Sequence, residues 1–145
     1  MNVKKTVASV LAVTALCGAC ISAGAADNPI NNLGRPGYEK VNQVTNEAIY
    51  EGHSRAAKVT ASDAWVDRGP VQSSGYQDEA AVGYVTVKDG TKNVYHYTRV
   101  ELHRNGKKYA ASDNIYGYGY VDASTNYYQV NRNVTSQARV FYGGF

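Results

Sequence analysis

The sequence predicts an all-β domain, an antiparallel β-sandwich or small barrel, with one short helix ahead of the strands. Three observations carry this reading. Residues from Ala80 to Ala111 alternate between two faces and are punctuated by Asp89-Gly90 and Asn105-Gly106. These dipeptides permit tight hairpin turns because glycine takes positive φ without steric cost. Tyrosine is the dominant large side chain, 13 residues against 2 phenylalanines and 1 tryptophan, and aromatic side chains suit a pleated, half-buried surface. Roughly six or seven short runs of β-formers, separated by Gly, Asn, Asp and Ser, match the pattern of a sandwich or barrel.

Ahead of that domain stands a targeting segment, residues 1–25. Met1-Asn2-Val3-Lys4-Lys5 is a basic start, Thr6 to Ile21 is apolar and uncharged, and Ser22 to Ala26 are small. Ala23 and Ala25 form an A-x-A site, which predicts cleavage after Ala25. The apolar stretch falls short of the ~20 residues of a membrane span, and no second hydrophobic run follows. The expectation is a secreted or periplasmic protein with no integral membrane span. Lipid attachment through Cys20, after Gly18-Ala19, is the weaker alternative, because Cys17 stands where a lipoprotein signal wants leucine.

Cleavage changes the chemistry that is left. Both cysteines, Cys17 and Cys20, leave with the signal, so the remaining domain holds neither a disulfide nor thiolate-bound zinc. The formal net charge of +3 drops by two with Lys4 and Lys5. So small an excess is too weak for nucleic-acid binding through phosphate neutralisation.

Residues 26–37, mostly Asn, Gly and Pro after the cleavage site, read as an irregular arm, and 38–145 as one β-rich domain. Within it, Tyr38 to Glu51 reads as the helix, since Tyr38, Val41, Val44 and Ala48 fall on one face. Its β-branched content keeps an extended strand as the alternative. Ala57–Ala61 and Ala64–Val66 are short strands split at Ser62-Asp63, and Asp67 to Gly75 is a loop by composition.

In Ala80–Lys88, Val82, Tyr84, Thr86 and Lys88 share one face, with Val85 and Val87 on the other. Asn93–Arg104 places Val94, His96, Thr98, Val100 and Leu102 opposite Tyr95, Tyr97, Arg99, Glu101 and His103. Lys107–Ala111 completes a three-stranded meander across the Asp-Gly and Asn-Gly turns. Tyr116 to Val121 sets three tyrosines against two glycines, and Gln137–Tyr142 is the closing strand.

Catalytic chemistry finds no foothold in this pattern. His96 and His103 are an odd number apart on one strand and so face opposite ways, and His53 sits at a loop edge, which argues against a metal site. No serine lies in a G-x-S-x-G turn. Asp63, Asp67, Asp78 and Glu79 lie in or beside expected loops, where acids are ordinarily solvated. No catalytic residue, metal ligand or cofactor is expected; a small hydrolase is the alternative that this pattern disfavours.

The tyrosines point to binding instead, because the side chain joins a flat apolar ring to a water-tolerant hydroxyl. Tyr95, Tyr97, Arg99, Tyr116, Tyr118 and Tyr120 are the candidate ligand-binding residues, with Tyr127-Tyr128 close behind. The plainer alternative is cross-strand filling, worth about 0.2–1 kcal/mol per aromatic pair.

The C-terminal part, Tyr95 to Phe145, resembles the lactococcin-type bacteriocins. The likeness rests on Tyr95-His96-Tyr97, the Asn105-Gly106-Lys107 turn, the stretch from Gly119 to Thr125, and the finish Val140-Phe141-Tyr142-Gly143-Gly144-Phe145. It implies a small β-sandwich that is secreted and interferes with cell-wall synthesis through a precursor. The expected function is thus an exported, non-enzymatic binding protein, bacteriocin-like and aimed at the cell envelope. An adhesion or assembly subunit, or a carbohydrate-binding protein, is the alternative. The expected partners are an envelope component, a glycan, another protein or a second copy of the chain.

Overall fold

The computed structural model describes residues 36–52 and 58–145. The expected targeting segment, the arm up to residue 35, His53 and Ala57 lie outside the described residues. The strands in the first half are β1 (Glu39–Thr45), β2 (Ile49–Tyr50), β3 (Lys58–Arg68), β4 (Tyr76–Asp89) and β5 (Lys92–Asn93). They continue as β6 (Tyr95–Arg104), β7 (Lys107–Ala111), β8 (Ile115–Tyr118), β9 (Tyr120–Ser124), β10 (Tyr128–Asn131) and β11 (Ser136–Gly143). The protein is all-β.

Two sheets enclose one core. In the first, β1, β3 and β4 run side by side, and the long β4 carries β10, β9 and β5 in turn along its other edge. In the second, β11 lies between β2 and β6, and β6 holds β8 at its start and β7 at its end. Every pairing is antiparallel except β2 with β11. Val66, Val85, Val87, Val100, Leu102 and Val140 meet between the sheets. Complete burial of such a side chain contributes about 1.5–3 kcal/mol.

The stretch expected to be helical is extended instead. Glu39–Thr45 pairs with β3, and the register slips between Val41 and Val44, where Asn42 takes φ 52°. The bulge explains the misleading spacing: an extra residue in a strand shifts the two-residue period towards three.

Further boundaries move for tertiary reasons. Ser62-Asp63 is no break, because β3 runs unbroken through it. Asp63 is held by β1: Thr45 Oγ1 donates to it at 3.0 Å, Gln43 Nε2 also donates, and Lys40 Nζ pairs with it at 3.5 Å. The meander also divides. The Asp89-Gly90 turn joins β4 only to the two-residue β5, after which the chain leaves the first sheet at Val94 and continues as β6 in the second. The Asn105-Gly106 hairpin between β6 and β7 forms as expected, with φ 49° and 76°.

Candidate functional site

The alternation in β6 decides what the second sheet shows to the outside. His96, Thr98, Val100 and Leu102 point into the sandwich, which places Tyr95, Tyr97, Arg99, Glu101 and His103 on its outer surface. β8 brings Tyr116 opposite Tyr97 and Tyr118 opposite Tyr95. Tyr95 lies 5.0 Å from Tyr118 and 5.9 Å from Tyr116 between ring centroids, and Tyr116 meets Tyr97 edge-on at 5.6 Å. Tyr95, Tyr116 and Tyr118 are 46, 53 and 69% exposed. Three large rings thus stand together in solvent on a rigid sheet, a surface to which flat, weakly polar groups can stack.

Tyr97 differs from its neighbours. It is buried, and its hydroxyl donates to Glu51 Oε2 at 2.9 Å. Burial, reinforced by the hydrogen bond and negative charge of Glu51, pushes its pKa up to about 12. Its ring supports Tyr116 rather than facing solvent.

Beyond Tyr97 runs a ladder of charges. Arg99 Nη2 binds Glu51 Oε1 at 2.7 Å and Arg99 Nη1 binds Glu101 Oε1 at 2.6 Å, while the guanidinium covers the Phe141 ring at 4.5 Å. Glu101 also meets His103 Nε2 at 2.7 Å and Lys108 Nζ at 3.5 Å. Burial works against charge on both Arg99 and Glu101, but their mutual hydrogen bonds and neighbouring charges outweigh it. The Arg99 pKa is therefore raised and the Glu101 pKa lowered. Arg99, a candidate ligand residue, is consequently engaged by two carboxylates, whose charge offsets its own. The ladder neutralises itself, and the rings are left as the reactive part of the surface.

Tyr120 does not belong to this cluster. The row expected over Tyr116–Tyr120 breaks at Gly119, whose φ of 69° turns the chain from β8 into β9 and thus from the second sheet to the first. Tyr120 then packs on Tyr84 at 5.0 Å on the opposite side of the molecule. Side chains two apart share a face only while the strand stays in one sheet. Of the six candidates, the structure brings together Tyr95, Tyr97, Arg99, Tyr116 and Tyr118.

The acidic residues do not converge. Asp63 and Asp67 flank Trp65 on the outer face of β3, about 13 Å apart along the strand. Both are buried rather than solvated, and Tyr127 donates to Asp67. Burial raises the Asp67 pKa in spite of that bond. Glu79 points inward and is fully buried, accepting from Arg68 Nε at 3.0 Å, Gln77 Nε2 at 2.7 Å and Ser136 Oγ. Asp78 turns to the other face of β4. His96 is equally a core residue, its Nδ1 3.1 Å from the Val94 carbonyl. Among the described residues no three His, Cys, Asp or Glu side chains gather where they could hold a metal ion. No helix among them is long and apolar enough to cross a membrane.

Glu51, Phe141 and Tyr84 take part in these surfaces without having been singled out from the sequence. Glu51 lay at the end of the expected helix, and its reach to Arg99 spans 48 positions. Tyr84 was already on the correct face of its strand, which was the one signal available. No protein-family model matches the chain, and no curated protein or solved structure shows significant similarity to it.

Proposed function

We propose that the exported chain is a non-enzymatic binding protein that holds an uncharged glycan of the cell envelope against Tyr95, Tyr116 and Tyr118. The exposure of three touching rings on one rigid face carries this reading. A pyranose ring presents a flat patch of C–H groups that stacks on such rings, with its hydroxyls left to phenols and water. The self-neutralised ladder beside the rings supports an uncharged partner over an anionic one. The resemblance to lactococcin-type bacteriocins supports the same direction, since the residues it covers run from β6 to β11 and include all three exposed rings. Antibacterial action on a neighbouring cell would then follow from occupying a wall component or its precursor.

The test is binding of the mature protein to chitooligosaccharide and to isolated wall sacculi, alongside growth inhibition of sensitive bacteria. Tyr116→Ala and Tyr118→Ala should each weaken binding about tenfold, equivalent to ~1.4 kcal/mol, with the melting temperature unchanged. Binding that neither variant weakens, or no binding by the parent protein, overturns the proposal.

A further inference from the structure

The side of the sandwich opposite the proposed site carries a second tyrosine pair, exposed Tyr120 and half-buried Tyr84. We propose that this pair is a second platform for the same uncharged glycan, so that one molecule cross-links two strands of the polymer. The inference rests on the glycan reading of Tyr95, Tyr116 and Tyr118.

The second platform arises from the corner at Gly119. β8 ends with Tyr118 on the outer face of the second sheet, and β9 begins with Tyr120 on the outer face of the first. Two residues of chain thus deliver one ring to each side. Tyr120 is 58% exposed. Its ring centroid lies 5.0 Å from that of Tyr84 with 30° between the planes, the same separation as Tyr95 and Tyr118. In the ladder Tyr120 stands opposite Thr86, so Tyr84 is its diagonal neighbour. The two rings therefore pack on each other as one tilted aromatic pair.

The surroundings favour the same kind of ligand. Asp122 is opposite Tyr84 in the β4–β9 ladder and faces the same way. A carboxylate beside an aromatic ring accepts hydrogen bonds from sugar hydroxyls. Burial first, and the Asp122 charge second, raise the Tyr120 pKa, which keeps that phenol a hydrogen-bond donor.

Packed sheets lie about 10 Å apart, with the rings outside them, so the platforms look in opposite directions. One sugar ring cannot touch both. Two segments of a wall polymer can, and a two-sided contact of this kind holds far more tightly to a polymer network than to a short oligomer.

Calorimetric titration with a short chitooligosaccharide separates the possibilities. The parent protein should bind two per chain, Tyr120→Ala and Tyr118→Ala should bind one each, and Tyr120→Phe should keep two. The parent should also turn a solution of long soluble glycol chitin turbid, and both alanine variants should not. One ligand per chain, lost in Tyr118→Ala and unchanged in Tyr120→Ala, overturns the second platform and leaves the first intact. Absence of binding in the parent removes both. Circular dichroism of each variant distinguishes a lost site from a lost fold, and Tyr84→Ala, which spares Tyr120, supplies an independent variant expected to bind one.

Discussion

Tyr97 and Glu101 show how a single side chain can be functional in appearance and structural in effect. Both lie on the face that carries the exposed rings, yet both are buried by their neighbours and tied into the ladder through Glu51, Arg99, His103 and Lys108. Their shifts set the pH range over which the ladder holds. In the unfolded chain a tyrosine loses its proton near 10.0, whereas Tyr97 in the fold keeps it to about 12. Between those values the folded state binds the extra proton, so stability falls as pH rises. Glu101 has a lowered pKa, so its contribution is present above 4.5 and fades as pH falls through the folded value. Urea midpoints should therefore decline on both sides of a neutral plateau, and Tyr97→Phe should flatten the alkaline decline. An unchanged alkaline slope in that variant would mean that burial and Glu51 together do not raise the Tyr97 pKa.

At the scale of elements, the corner formed by Val94 and Gly119 is where the chain changes sheets twice. Gly119 N–H donates to the Val94 carbonyl at 3.1 Å, and Val87 N–H donates to the Gly119 carbonyl at 3.0 Å. A Cβ at Gly119 would lie 2.6 Å from the Asn93 side chain, on a backbone already at φ 69°. Asn93 can move aside, but the positive φ remains, so Gly119→Ala should cost about 1–3 kcal/mol, read as a lower urea midpoint. The double variant with Asn93→Ala should recover only the part due to the clash. This corner was not legible in the sequence. Alternation in Asn93–Arg104 correctly sorted its inner and outer side chains, but periodicity does not say which sheet a strand joins. The helix reading of Tyr38–Glu51 failed for a related reason, since a bulge at Asn42 copies helical spacing locally. The Asn105-Gly106 hairpin, by contrast, is fixed by two adjacent residues that both accept positive φ, and the sequence carried it in full.

For the molecule as a whole, two sheets close over a core dominated by valine and small side chains, with no cysteine among the described residues. At one end the inter-sheet contact is polar: fully buried Glu79 gathers Arg68, Gln77 and Ser136, and Arg104 approaches to 3.9 Å. Removing one partner would strand a buried charge, so this cluster fixes how the sheets sit rather than serving as paired catalytic carboxylates. The all-β class was legible because alternation and turn dipeptides are local. The candidate surface was half legible: Tyr95 and Tyr97 follow from one strand, but the convergence of Tyr116, Tyr118 and Glu51 depends on pairings 19 to 46 positions apart, and the departure of Tyr120 to the far side depends on the Gly119 corner. The outcome is a two-sheet fold with Tyr95, Tyr116 and Tyr118 outside one sheet and Tyr84 and Tyr120 outside the other. Ring-proton NMR of a tyrosine-labelled sample, titrated with chitooligosaccharide, tests the central claim directly. The ring signals of Tyr95, Tyr116 and Tyr118 should shift together and saturate at one concentration. Shifts confined to tyrosines elsewhere in the chain, with those rings silent, would contradict it.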